Sequence, residues 1–170
     1  MARLPSVIVD TNAFFKDESF AGVCNTLTLP KVVVKTTDMV LAGYAGDIER
    51  DLGKLEKLES EVTVSEYNSK VIDLVGNRES RDEQFIVRGA LDVDGAIKSV
   101  VVRQQGFWKS YEHGGDFKAE EEAALKFAIA VEVYGLEIDG KEVVFIDKPN
   151  NIFRVNGKDR NQAIREALAQ

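Results

Sequence analysis

The amino-acid sequence predicts a mainly β protein with one short helix, in which two antiparallel sheets pack against each other. Apolar and polar residues alternate with a period of two along several segments, which is typical of strands that bury one face. Asp94-Gly95 and Asp139-Gly140 each lie between two such segments, and Asp-Gly favours the tight turn of a β-hairpin. One alternating segment, 122–134, is about twice as long as a usual strand, as expected for the wall of a barrel or a large sandwich.

The predicted strands follow this alternation along the chain. They are residues 31–36, 61–67, 84–93, 96–108, 122–134, 136–138 and 142–146. The segment 122–134 is the clearest, because its odd positions are apolar whereas its even positions, up to and including Tyr134, are mostly small or charged. We therefore expect the apolar positions of these strands to lie in the core. The predicted core residues are Val62, Val64, Leu125, Phe127, Ile129 and Val131.

Helical spacing predicts a short helix over residues 69–75. Ser69 is a suitable N-cap, and Val71, Ile72 and Val75 share one face. A last helix is predicted over 161–168, after the turn formed by Asn156-Gly157 and within a C-terminal tail of residues 161–170.

The segment 38–58 has little periodicity and contains Gly43, Gly46 and Gly53. This composition predicts a long loop. Long loops inside compact domains are usually functional or disordered. We therefore expect a functional role for this segment.

Length and composition restrict the class of protein. The chain has 170 residues and a mass of 18.8 kDa, which predicts a single domain over residues 1–170. Its net charge of −7 is unfavourable for gripping the phosphates of nucleic acid. Single residues of cysteine (Cys24) and histidine (His113) exclude a disulfide framework and a Cys/His zinc site. The start of the sequence has no apolar run long enough for a signal peptide, so we expect a soluble protein made in a reducing compartment.

One short motif suggests an enzyme. Residues 7–12, Val-Ile-Val-Asp-Thr-Asn, resemble the opening of PIN-domain ribonucleases, in which an acidic residue at the end of the first strand helps to hold Mg²⁺. Asp10 would be the first ligand. The alternative is a strand that ends in an Asx turn at Asp10, and the hairpins after residue 80 favour it. The conceivable further ligands are Glu49, Asp92, Asp94 and Asp116.

Other candidates for catalysis are weak. His113 precedes Gly114-Gly115 and is predicted to be an exposed turn residue. Cys24 has no second thiol or basic neighbour, so it is predicted to fill space. The sequence contains no phosphate-binding glycine loop and no metal-ligand spacing, and we expect neither an enzyme nor a cofactor.

Several segments together resemble the major tail tube proteins of contractile-tailed phages and the related R-type pyocin tubes. The resemblance covers nearly the whole chain in order, and it is most specific in the C-terminal third. It is carried by Asn12, Phe14, Phe20, Gly22, Thr28-Leu29-Pro30-Lys31, Gly43-Tyr44-Ala45-Gly46, Asp51-Leu52-Gly53, Arg88-Gly89, Phe117-Lys118, Tyr134, Leu136, Asp139-Gly140-Lys141-Glu142, Ile146-Asp147, Asn150 and Val155-Asn156-Gly157-Lys158-Asp159-Arg160.

The resemblance implies a structural protein of the virion tail, assembled in the cytoplasm of the host bacterium. Members of the family form six-membered rings in which each subunit gives four strands to a continuous inner β-barrel. The rings stack into a tube inside a contractile sheath, and the genome passes through it during ejection. The implied partners are other copies of the chain, the tail sheath protein, baseplate and tail terminator proteins, and, transiently, the tape measure protein and DNA. The family has no cofactor and no catalytic residues.

The resemblance also assigns candidate sites. The small-or-charged face of the long strand is expected to face the lumen, where an acidic surface would repel DNA. The residues of this face are Glu122, Lys126, Ala128, Ala130 and Glu132. The segment 38–58 is expected to contact the adjacent ring, through Gly43, Tyr44, Gly46, Asp51, Leu52 and Gly53.

Two other uses of the same fold stay open at this point. One is the tube of a bacteriocin or of a type VI-like secretion particle. The other is a small β-barrel of the lipocalin kind, which would enclose a ligand in its own cavity. The Asp10-based ribonuclease is a third and remote alternative.

Overall fold

The computed structural model describes residues 4–16 and 18–170. Within these residues the chain forms twelve strands, two short α-helices and a 3-10 helix at Arg78–Asp82. The strands are β1 (Val7–Phe15), β2 (Glu18–Ser19), β3 (Cys24–Thr28), β4 (Val34–Met39), β5 (Ile48–Leu55), β6 (Leu58–Val64), β7 (Phe85–Val93), β8 (Ala96–His113), β9 (Leu125–Ile138), β10 (Lys141–Asp147), β11 (Ile152–Val155) and β12 (Lys158–Asp159). The helices are α1 (Ser69–Ile72) and α2 (Gln162–Leu168).

The strands form two antiparallel sheets. Ten of them make one sheet with the order β12-β11-β10-β9-β8-β7-β1-β2, to which β6 adds on β9 and β3 adds on β6. The other two, β4 and β5, form a separate hairpin. The predicted mainly β class is confirmed, and the described residues do not close into a barrel by themselves.

Two very long strands, β8 and β9, run through both layers of the fold. The first part of β8, residues 96–104, pairs with β7, and the last part of β9 pairs with β10. The other ends of the same two strands form a four-stranded layer with β6 and β3, in the order β3-β6-β9-β8. The two packed layers are therefore two parts of one bent sheet. We call them the wide layer, which contains β1, β7, β10 and β11, and the four-stranded layer.

The bend between the layers lies at Gly106. Here β9 contains one extra residue, Glu132, because Gln105 pairs with Val133 and Gly106 pairs with Val131. Such a bulge bends a strand and increases its twist. A side chain at Gly106 would overlap the carbonyl group of Ala130, so only glycine fits at this crossing.

The same bulge corrects the predicted alternation of the long strand. The odd positions from Leu125 to Val131 are buried, as the pattern predicts, but Tyr134 is buried and Val133 is only half-buried. Because Glu132 is an extra residue, the phase of inward-facing positions changes by one after it. The prediction that placed Tyr134 on the small-or-charged face is therefore wrong.

The core lies between the two layers and is centred on Trp108. The indole ring makes edge-to-face contacts with Phe15, Phe85 and Phe127, at centroid distances of 6.1, 5.9 and 5.6 Å. Such contacts add about 0.5–1.5 kcal/mol each to the burial of the rings. Helix α1 covers one side of this core with Val71 and the following Leu74. The six residues predicted for the core are all buried in this cluster: Val62, Val64, Leu125, Phe127, Ile129 and Val131.

Three tight turns fix the pairing of successive strands. They are Asp94-Gly95 between β7 and β8, Asp139-Gly140 between β9 and β10, and Asn156-Gly157 between β11 and β12. Both residues of each turn have positive φ, which is the geometry of the hairpin turn that asparagine, aspartate and glycine favour. The turn predictions from these dipeptides are confirmed.

Several predicted bounds were wrong for identifiable reasons. The segment 38–58 is not a loop, because most of it lies in β4, β5 and the start of β6. The long strand begins at Leu125 and runs on to Ile138, so that 136–138 is part of it and Glu122 precedes it. Strand β1 continues through Asp10 to Phe15, since Val9 forms a bulge there and no turn ends the strand.

The helices are short. The N-cap of α1 is Asn68, whose side chain accepts a hydrogen bond from the Lys70 N–H (3.0 Å), and the helix is shorter than the predicted 69–75. Helix α2 follows Asn161, close to the predicted start. Among residues 4–16 and 18–170, neither helix has the length and apolar character that a bilayer-spanning helix needs.

The bend predicts the effect of a single methyl group. Gly106→Ala should lower the free energy of unfolding by about 1–3 kcal/mol or prevent folding, because the added Cβ overlaps the Ala130 carbonyl. Gly135→Ala is the matched control, since the nearest atom to its Cβ would be Phe145 Cδ2 at 3.8 Å. Urea unfolding followed by tryptophan fluorescence measures both. Equal stability of the two variants would contradict this role of Gly106.

Candidate functional site

The acidic residues that suggested a metal-dependent nuclease do not come together. The Asp10 carboxylate accepts a hydrogen bond from the N–H of Thr11 (2.8 Å), and Asp92 and Asp94 accept bonds from the N–H groups of Gly95 (2.7 Å) and Leu4 (2.9 Å). Glu49 lies on β5 and Asp116 in the loop after β8. In the described part of the chain, no three His, Cys, Asp or Glu side chains converge as metal ligands.

His113 and Cys24 have structural environments. His113 is the last residue of β8, not a turn residue, and its Nδ1 lies 3.2 Å from the Tyr67 hydroxyl. Cys24 begins β3 and is half-buried. Burial raises the pKa of the Cys24 thiol, so the reactive thiolate is disfavoured at neutral pH.

The four-stranded layer has an open edge on each side. Within the described residues, β3 pairs only with β6, and residues 106–113 of β8 pair only with β9. The Gly76 N–H donates to the Trp108 carbonyl (3.0 Å) and covers the start of the β8 edge. The rest of that edge, 109–113, is exposed. Unpaired N–H and C=O groups in such edges are templates for another strand.

The outward face of the four-stranded layer carries the residues predicted for a lumen. Lys126, Ala128 and Ala130 lie on this face of β9, opposite Thr63, Glu61 and Glu59 of β6. All three are only partly buried. Their side chains point away from the core because the alternate residues, such as Phe127 and Ile129, point into it.

Ion pairs neutralise most charges on that face. Lys126 pairs with Glu112 (3.6 Å), Lys109 with Glu59 (2.5 Å), and Arg81 with Glu132 (3.5 Å). The Lys109 ammonium holds the pKa of Glu59 below its usual value. Glu61 is the carboxylate of this face that has no ion pair among the described residues, so the face keeps net negative charge.

Glu122 has a different position from the other predicted lumen residues. It precedes β9 and accepts hydrogen bonds from Ser65 (2.5 Å) and Asn25 (3.2 Å). These bonds lower the pKa of the Glu122 carboxyl. The residue therefore joins the loop before β9 to the ends of β3 and β6.

The hairpin of β4 and β5 protrudes from the body. We call residues 34–55 the arm. Almost all side chains up to residue 52 are exposed, and the tip presents Val40 and Tyr44 with 82% and 64% of their surfaces exposed. A two-stranded hairpin alone is marginally stable in water, so further contacts would stabilise this arm.

The two faces of the arm differ in character. Asp38 lies directly opposite Glu49 on one face, and like charges in that position destabilise a strand pair. The next pair along the hairpin, Met39 opposite Ile48, points to the other face. The arm therefore has one acidic face and one apolar face near its tip.

The base of the arm is held by the C-terminal segment. Leu52 and Gly53 form a two-residue bulge, and the Gly53 N–H donates to the Asp51 carboxylate (2.7 Å). The Asn161 side chain donates to the Gly53 carbonyl (3.3 Å) and to Asn151 Oδ1 (2.9 Å).

Arg165 of α2 completes this cluster. Its guanidinium donates to the Asn151 carbonyl (2.9 Å) and to Asp159 (2.6 Å), which lowers the pKa of the Asp159 carboxyl. Six residues were predicted to contact an adjacent ring, and the structure places three of them at each end of the arm. Gly43, Tyr44 and Gly46 lie at the tip, and Asp51, Leu52 and Gly53 lie at the base.

Comparison with known proteins gives one consistent result. The family model described as phage tail tube protein FII matches residues 5–168 of the chain. The tail tube protein of Escherichia phage P2 is 29% identical over 169 residues, which covers 97% of this chain and 98% of that protein.

The arm base predicts a difference between two glycine variants. Gly53→Ala should loosen the arm, because Gly53 has a φ of +66° and a Cβ there would overlap the Ile164 side chain. Gly43→Ala is the control, since its φ is +88° but no atom of the described residues lies within 4 Å of its Cβ. Hydrogen exchange of residues 34–55 and 162–168 should become faster in Gly53→Ala alone. Equal exchange in both variants would show that α2 does not hold the arm.

Proposed function

Since the chain belongs to the phage tail tube protein FII family, a family of structural virion tail components and not of enzymes, we propose that it forms hexameric rings that stack into the hollow tube through which a phage genome is ejected. The observation that carries this proposal is the four-stranded layer with two open edges. The Asp10-based ribonuclease and the ligand-enclosing barrel have no comparable support.

The directions of the strands are compatible with closure of a ring. Within the layer each strand is antiparallel to its neighbours, so β3 and β8 at the two edges run in opposite directions. Rotation about a ring axis keeps strand directions unchanged. The β8 edge of one copy therefore meets the β3 edge of the next copy in antiparallel orientation, and a ring of six copies closes into one continuous antiparallel barrel.

The outward face of this layer would line the lumen. The small side chains of Ala128 and Ala130 keep the wall smooth, and the three ion pairs on this face leave the Glu61 carboxylate as its uncompensated charge. Repeated around a ring, Glu61 gives a negative surface that repels DNA phosphates and prevents sticking. Lys126 and Glu132 contribute to the same wall as members of ion pairs. Glu122 would lie at its margin.

The arm would contact the adjacent ring. It protrudes beyond the body, exposes apolar residues at the tip, and is too small a hairpin to be stable alone. Around the assembled tube we place the tail sheath protein, with baseplate and tail terminator proteins at the ends and the tape measure protein inside before DNA. The same contacts would also serve the tube of a bacteriocin or type VI-like particle, which differ in the cargo.

The lumen proposal predicts a charge effect without an assembly effect. Glu61→Lys should form rings and tubes normally, because the residue is exposed and has no ion pair among the described residues, but should slow release of DNA from assembled phage. Glu61→Gln is the control of equal size. Its rate of DNA release should be equal to or slightly below that of the unaltered chain, and well above that of the lysine variant. Ejection kinetics in a phage carrying each variant measure this. Identical kinetics in all three would contradict the placement of this face.

The ring proposal predicts separate roles for the body and the arm. Replacing residues 40–47 with Asn-Gly should leave a folded chain that forms hexameric rings, since Met39 and Ile48 are already paired and can be joined by a two-residue turn. Those rings should not stack into tubes. Negative-stain microscopy and light scattering at high concentration check both statements. An unaltered chain that stays monomeric, or a shortened chain that still forms tubes, would overturn the proposal.

A further inference from the structure

The arm base contains an apolar groove that the chain leaves open. It consists of two adjoining clefts of about 420 and 670 Å³ between the arm, the turn after β10 and helix α2. Both clefts are lined by Leu55, Phe153 and Ile164, and the first extends to Leu168. None of the residues of α2 is buried, and Leu168 is 59% exposed. Leu168 is therefore an apolar side chain that the described part of the chain leaves mostly exposed, and Ile164 on the same helix is covered only in part, by the base of the arm.

We propose that this groove receives the tip of the arm from a second copy of the chain. The inference rests on the proposed function, because it names the surface that the arm contacts in the assembled tube. The tip supplies matching chemistry in the apolar side chains of Val40 and Tyr44. In a contact that repeats from copy to copy, the groove at the base of the hairpin would be the surface that receives this tip.

Charge complementarity supports this occupant. The arm tip carries Asp38, Asp47 and Glu49, of which the opposed pair Asp38 and Glu49 is unfavourable unless cations approach it. The groove is lined by three basic residues, Lys54, Lys148 and Arg160, and by two acidic ones, Asp51 and Asp147, so that its net charge is positive. The two acidic carboxylates already accept hydrogen bonds from the N–H groups of Gly53 (2.7 Å) and Asn150 (3.0 Å). An acidic tip that enters this groove reduces the like-charge repulsion on the arm and adds ion pairs with its basic residues.

The geometry requires the contact to be between two molecules. The tip and the groove lie at opposite ends of one hairpin, whose paired part extends from Val34 and Leu55 to Met39 and Ile48. A paired hairpin cannot fold back on its own base. A contact between two different surfaces of the same chain repeats without limit when its symmetry does not close, which is the property that growth of a tube requires.

The polar cluster formed by Asn151, Asp159, Asn161 and Arg165 would hold the groove in position. These residues fix α2 against the base of the arm, so that each copy holds its own arm and its receiving groove in one rigid unit. Arg165 is in this sense a positioning residue for the groove.

Disulfide capture tests the contact. In a Cys24→Ala background, chains with Tyr44→Cys are mixed with chains with Leu168→Cys, assembled, and oxidised. We expect mixed disulfide dimers in tubes. The control mixture pairs Tyr44→Cys with Ile97→Cys, because Ile97 is equally accessible in the wide layer and lies outside the groove. Tubes that form without the Tyr44–Leu168 dimer, or with equal amounts of both dimers, would overturn the groove assignment and leave the tube assignment intact. A chain that forms no rings or tubes would instead count against the tube proposal itself.

Hydrogen exchange on the unaltered chain makes the test independent of the engineered cysteines. On passing from rings to tubes, residues 40–47 and 162–168 should become protected together. Protection of 40–47 without protection of 162–168 would show that the tip binds elsewhere. Leu168→Asp adds a third readout, since a charge in the groove should abolish stacking while the hexameric rings remain, whereas Ile97→Asp should leave stacking unchanged.

Discussion

The packing of this protein depends on how two long strands pass from one layer into the other. β8 and β9 are paired over almost their full length, and they supply strands to both sides of the core. A flat ribbon of that length could not cover itself, so the bulge at Glu132 and the bare backbone of Gly106 are what bring Phe127 and Trp108 of one layer against Phe15 and Phe85 of the other. The open edges of the four-stranded layer follow from the same bend, because beyond it β8 leaves its partner β7.

Much of this fold is readable from the sequence because its signals are local. The alternation around Phe127 identifies the long strand and its buried face, and Asp94-Gly95 and Asp139-Gly140 identify the hairpins that flank it. The arm was missed as a hairpin because strands exposed on both faces have no alternation. Both of its faces are exposed to water in the single chain, so residues such as Thr36, Asp38 and Arg50 do not alternate with buried apolar residues. The break in phase at Tyr134 was missed because a bulge is set by the partner strand.

The candidate surfaces were only partly predictable for a related reason. Lys126, Ala128 and Ala130 could be assigned to one face from their spacing alone, whereas the residues of the arm were assigned only through the family resemblance. The cluster that joins Asn151, Asn161 and Arg165 to Gly53 could not be predicted, since Gly53 lies about one hundred positions before the other three residues and none of them belongs to a motif. Its only sequence signal is the combination of Asn151 and Asn161 with an arginine one helical turn later, which is too common to interpret without the fold.

The open edges of the four-stranded layer have a consequence for the chain before it assembles. The two edges that would close a ring are also the surfaces on which strands of unrelated or misfolded chains can add, so each newly made copy carries an aggregation hazard that disappears on assembly. The residues along those edges limit that hazard. Asn25, Thr26 and Thr28 on β3, and Lys109 and Glu112 on β8, are polar or charged, so indiscriminate pairing would bury groups that have no partner. Solubility of the free subunit and the proposed closure of a ring would therefore depend on the same few side chains.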